Sequence, residues 1–186
     1  MTAPAEDYRE IAAHFTELVR GVPDDAAWAR PAPVEGWVAR DVVRHLVEWF
    51  PGFLSSGAGI ELPTGPDVDE DPVRAWQVMS DAVQDLLDDP ATQEKEYSSQ
   101  FMGQVPLPQA IAQFFTADVF MHSWDLARAT GQDETLDPDR CAAMLEGMQP
   151  MDEVLRSSGQ FGPKVDIGDD ADPQSRLLAF IGRDSR

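Results

Sequence analysis

Asp118 and His122 stand four residues apart in DVFMHSWDLARATG (118–131), and that spacing puts a carboxylate and an imidazole on one face of a predicted helix. Such a pair supplies two of the three protein ligands that a catalytic metal site uses. The candidate third is His45, in WVARDVVRHLVEWF (37–50), a second helical pattern that a bundle can bring alongside. On a helical wheel Asp118, His122 and Asp125 share an arc with Ile111, Phe114, Phe115 and Met121, so these polar groups are embedded in an apolar stripe. An ionised carboxylate buried there costs on the order of several kcal/mol unless a cation, a hydrogen-bond network or protonation compensates.

Two readings of the cluster stay open at this level. In one, a divalent ion bound by His45, Asp118 and His122 supplies the compensating charge; in the other, a buried His–Asp pair at i, i+4 satisfies itself without metal. Glu48, one turn beyond His45, is a candidate substitute ligand or a partner that orients the imidazole. Asp125 reads as a structural hydrogen-bonding residue, to a backbone group or an indole, rather than a fourth ligand. Ser123 is adjacent to His122, but neighbouring helical side chains diverge by about 100°, so no Ser-His-Asp triad is implied. His14 reads as a surface or core-edge residue. The tryptophans at 28, 37, 49, 76 and 124 read as core and groove residues, with Trp49 and Trp124 candidates to wall a substrate pocket.

The elements that must position these groups are helical. Ile11, Phe15, Leu18 and Val19 form the apolar stripe of a first helix at about 5–21, and the second runs from about 39 to 55, where Pro51-Gly52 should kink or end it. The Gly-, Pro- and Asp-rich stretch 56–72 reads as a loop, and a third helix at about 72–88 has Pro72 in its first turn. Residues 89–105 are read as loop. From Pro106 to Thr130 the periodicity marks a long central helix closed by Gly131; its far side, with Val119, Phe120, Trp124 and Leu126, is also apolar, which implies a central position or a subunit interface. Asp137-Pro138 starts a fifth helix that reaches about Ser157 with a kink at Pro150, and Asp172-Pro173 starts a short helix through Leu177, Leu178 and Ile181. The expected architecture is an all-α single domain over 1–186, in which 157–186 forms a C-terminal loop and short helix packed on the bundle.

The chain is long enough at 186 residues to bury a core without help from metal. Its 34 acidic and 14 basic residues give a net charge of −20, which argues against nucleic acid and anionic membranes as partners. MTAPAEDYRE has no basic region leading into an apolar one, and no segment approaches the ~18 uninterrupted apolar residues of a membrane span. A soluble, cytoplasmic protein is expected. The single cysteine, Cys141, fits a reducing compartment and reads as a small buried hydrophobe rather than a nucleophile.

The segments PVEGWVARDVVRHLVEW (33–49), DVFMHSWDLARATGQD (118–133) and FGPKVDIGDDADPQSRLLAFIGRD (161–184) resemble, in order, the DinB/YfiT-like helical bundle superfamily. Within it the chain resembles the mycothiol-dependent maleylpyruvate isomerase-like N-terminal domain family. The resemblance implies a four-helix bundle in which His45, Asp118 and His122 bind a divalent metal, usually zinc, with an open coordination position for a thiol such as mycothiol. It implies a thiol-dependent transferase or isomerase acting on a small-molecule substrate. The alternative is a non-catalytic, dimeric bundle that binds metal or a small ligand, or a metal-free relative with a structural His–Asp network. Two departures are visible: Val38 stands where similar proteins often carry Thr, and Asp118 is shorter than the Glu of the isomerase, which draws the metal toward the helix.

Overall fold

The computed structural model describes residues 3–99, 103–157, 159, 161–168 and 170–186. Its contacts divide the chain into two compact units, Met1–Asp133 and Glu134–Arg186. The first is built on four helices: α1 (Pro4–Arg20), α2 (Ala39–Ala58), α3 (Pro72–Asp88) and a long composite helix. The composite consists of α4 (Leu107–Ala110), a π-helical segment (Ile111–Thr116) and α5 (Ala117–Thr130). This is the all-α four-helix bundle expected from the sequence.

Local chemistry accounts for most of the boundaries. Asp71 accepts from Arg74 N at 2.9 Å and caps α3, with Pro72 in the first turn, and Gly131 closes α5 in the left-handed conformation at φ 74°. Val38 has no hydroxyl to cap α2; Asp41 Oδ2 instead accepts from Val38 N at 2.9 Å. The Pro51-Gly52 pair does not end α2, which continues to Ala58 and stops at the left-handed Gly59. Its last turns are held by the buried Leu54 and by Phe53, which stacks on Tyr97 with ring centroids 4.1 Å apart.

That stack belongs to an element read from sequence as loop. Residues 89–105 form a 3-10 turn (Pro90–Glu94) and an antiparallel hairpin of β1 (Glu96–Ser99) and β2 (Gly103–Pro106), with Tyr97 opposite Val105; residues 100–102, within the stretch YSSQFMGQVP, lie outside the described residues. The hairpin forms because Tyr97 finds a buried site on α2, between Phe53 and the bare backbone of Gly57. A Cβ at position 57 would overlap the Tyr97 ring. Gly57→Ala is therefore expected to destabilise the protein despite its better helix propensity. Overpacking of about 1–3 kcal/mol outweighs the ~1 kcal/mol gained in the helix, and urea denaturation with amide exchange in β1 would read the loss.

The core between the helices is aromatic. Phe50 stacks on Phe115 at 3.9 Å, the Trp76 ring meets Phe15 edge-on at 4.6 Å, and Trp76 Nε1 donates to Thr16 Oγ1 at 2.8 Å. α5 is buried on nearly every side, as its all-round apolar sequence implies for a central helix. No helix among the described residues is long and apolar enough to cross a membrane.

The second unit contains α6 (Pro138–Met148), a 3-10 turn (Gln149–Met151), α7 (Asp152–Ser157) and α8 (Pro173–Phe180). Asp137 and Asp172 cap α6 and α8, accepting from Arg140 N at 2.7 Å and Ser175 N at 3.0 Å, as their Asp-Pro starts predict. The fifth predicted helix, expected to kink at Pro150, is broken there by the 3-10 turn. Cys141 is buried, and loss of solvation pushes its thiol up to about 11. A thiol-specific disulfide reagent is expected to modify the native protein at least ~100-fold more slowly than the urea-unfolded chain.

Candidate metal centre

α2 and the composite helix lie side by side in the first unit, with their contacts in antiparallel order. Phe53 meets Phe114 at 5.4 Å, Phe50 meets Phe115, and Trp49 and His45 meet Asp118 and His122. His45, Asp118 and His122 therefore converge, each offering one donor atom, with all three atoms within 4.8 Å of one another. His45 Nε2 is 3.0 Å from Asp118 Oδ2, and His122 Nε2 is 3.5 Å from Asp118 Oδ1. Donors bound to zinc at about 2.0–2.1 Å in tetrahedral geometry stand about 3.3 Å apart; each imidazole is near that distance from one Asp118 oxygen, and the widest donor pair, within 4.8 Å, must draw in to close around an ion.

The donor set also fits in its chemistry. Two imidazoles and a carboxylate are borderline ligands suited to zinc, and three protein ligands leave one tetrahedral position open. His122 is buried at 6 % exposure, and its Nδ1 lies 2.8 Å from Oδ2 of Asp125, which is fully buried. With Asp125 ionised and His122 neutral, the carboxylate can only accept, which places the proton on Nδ1 and leaves the Nε2 lone pair for the cluster. Asp125 is the orienting partner of a candidate ligand, and the hydrogen-bonding role expected of it from sequence includes an imidazole. The i, i+3 spacing from His122 contained that signal.

Glu48 does not join the cluster. Its side chain is exposed, with Oε1 3.8 Å from Arg44 Nη1, and its i, i+4 relation to Arg44 turns it away from His45. Arg44 also reaches Asp69 at 2.6 Å and Asp41 at 3.4 Å, which ties the 67–71 turn to the start of α2 beside His45. Its hydrogen bond holds the Asp69 carboxyl below the usual carboxylate range. His14 is exposed, as expected.

Two tryptophans border the cluster. Trp49 Nε1 donates to Asp118 Oδ2 at 3.0 Å. The Trp37 ring lies over His122 at 5.7 Å with a 19° interplanar angle, and its centroid is 5.1 Å from that of His45. Sequence reasoning placed Trp37 only among core and groove residues. Its position arises from a local turn in which Gly36 has φ 78°, Trp37 N donates to Val34 O at 3.0 Å and Ala32 N donates to Trp37 O at 2.9 Å. Trp124, the other candidate pocket wall, is buried in the core with the Arg128 guanidinium 5.5 Å from its ring centroid, two residues round the helix from His122.

A four-helix bundle with a His–Asp–His cluster between two of its helices defines the class. Residues 8–127 match the model of the mycothiol maleylpyruvate isomerase N-terminal domain, and the chain belongs to that family. Two uncharacterized proteins of Mycobacterium tuberculosis, one from each of two strains, are similar: each is 28 % identical over 165 residues, covering 84 % of this chain and 85 % of its own length. No solved structure gives a significant match.

Proposed function

We propose that His45, Asp118 and His122 hold a divalent metal ion, most simply zinc, and that the protein is a thiol-dependent transferase or isomerase of small electrophilic substrates. The observation that carries the metal reading is the convergence of the three donor atoms, together with the Asp125 hydrogen bond that leaves the His122 Nε2 lone pair facing them. Membership of the mycothiol maleylpyruvate isomerase family supports mycothiol as the thiol. A cation bound there favours the thiolate form of a thiol presented at the open position, which makes it a nucleophile at neutral pH. Among the chain's own groups, Asp125 orients His122 from outside the donor set.

A second reading is a metal-free bundle whose cluster serves only to satisfy itself. It draws on Asp118 Oδ2, which accepts from Trp49 and lies in hydrogen-bond contact with His45 Nε2, and on the His122–Asp125 pair. Cobalt(II)-loaded protein separates the readings. Addition of mycothiol is expected to produce a near-ultraviolet sulfur-to-cobalt charge-transfer band. A cobalt complex that does not respond to the thiol would remove the thiol chemistry and leave metal binding; protein that takes up no cobalt would favour the self-satisfied network.

A further inference from the structure

Trp49 adds no donor atom to the cluster, yet its indole Nε1 donates to Asp118 Oδ2 at 3.0 Å. The same oxygen lies 3.0 Å from His45 Nε2, while Asp118 Oδ1 faces His122 Nε2 at 3.5 Å. The two carboxylate oxygens therefore have different neighbours. We infer that Trp49 is a positioning residue whose indole N–H occupies Asp118 Oδ2, so that the carboxylate offers a metal Oδ1 alone. The inference rests on the metal reading above and extends it to a residue outside the donor set.

Three features of the site support the assignment. When His45 acts as a ligand its Nε2 presents a lone pair and does not donate to Asp118, so the Trp49 N–H is the partner that remains on Oδ2. An indole N–H only donates, so it cannot compete for the ion or change its role on binding. The direction of that N–H is also fixed, because the Trp49 ring packs edge-on against Phe50 at 5.5 Å, Phe53 at 5.6 Å and Phe115 at 6.0 Å. The functional consequence follows from coordination number. A carboxylate bound through both oxygens takes up the position that a co-substrate needs, whereas one held to a single oxygen leaves it open.

Trp49→Phe tests this by keeping an aromatic ring against the same neighbours while deleting the N–H. Wild type, Trp49→Phe and Trp37→Phe would be titrated with cobalt(II), read by visible absorption, and their zinc affinity measured against a chromogenic chelator, with thermal melts recorded alongside. Trp49→Phe is expected to melt like wild type, to bind zinc about 10–100-fold more weakly and to lose visible cobalt intensity as the freed oxygen enters the coordination sphere. Trp37→Phe is expected to match wild type, since Trp37 meets the imidazoles through its ring. Equal cobalt spectra and zinc affinities in wild type and Trp49→Phe would overturn this inference alone. An equal loss in both variants would also overturn it, by tying the effect to ring packing. Wild-type protein that binds neither cobalt nor zinc would instead overturn the metal reading beneath it.

Discussion

His45→Ala is expected to abolish zinc retention while leaving the bundle folded. The His45 side chain is 31 % exposed at the edge of α2, so truncating it removes one of three donors without opening the core. The two that remain, Asp118 and His122, sit on one helix and cannot enclose an ion. The loss in affinity should therefore exceed the 10–100-fold that typically attends removal of an outer partner. His122→Ala should lose zinc as well, but it also strips the buried Asp125 carboxylate of a partner, which costs about 1–3 kcal/mol of stability. Chelator competition with urea denaturation on both variants separates the two effects: His45→Ala should change only the first measurement, and His122→Ala both.

Asp125→Asn is the second large effect expected, although Asp125 is fully buried and is not one of the three donors. An ionised Asp125 can only accept through its 2.8 Å contact with His122, which favours the proton on Nδ1 and the lone pair on Nε2. An asparagine amide also donates, and in its flipped orientation it binds unprotonated Nδ1 and moves the proton to Nε2, where it blocks coordination. Zinc affinity should fall about 10–100-fold with little change in side-chain volume or melting temperature. Nitrogen-15 spectra of the imidazole should show the shift toward the Nε2-protonated tautomer. Wild-type affinity in this variant would remove Asp125 from the site and leave it a structural residue.

The parts of this fold written in local chemistry were legible from sequence. Apolar periodicity marked the helices, the Asp-Pro pairs at 137–138 and 172–173 marked two helix starts and Pro72 a third, and the i, i+4 spacing of Asp118 and His122 marked the cluster. What escaped was set by contacts distant in sequence. β1 forms because Tyr97 meets Phe53 and Gly57, about forty residues earlier, and the polar stretch around it carries no periodic signal of its own. The π-helical segment Ile111–Thr116 departs from the 3.6-residue period on which a helical wheel depends. On that wheel Phe114 and Phe115 extend the Asp118 face; in the fold each pairs with a different ring of α2. Likewise Trp49 and Asp125 were visible as residues near the motif, but their roles depend on which atom each indole or carboxylate meets, and no spacing specifies that. Glu48 shows the converse: helical spacing brought it one turn from His45, and Arg44 holds it elsewhere.

The central claim is that His45, Asp118 and His122 form one metal site. Its most direct test is elemental analysis by mass spectrometry of protein purified without a nickel column, offered zinc and then dialysed, with His45→Ala treated in parallel. About one zinc per chain in the wild type and less than about a tenth in the variant is the result expected of a three-ligand site. Wild-type protein that retains no zinc, or a variant that retains as much as the wild type, would contradict it.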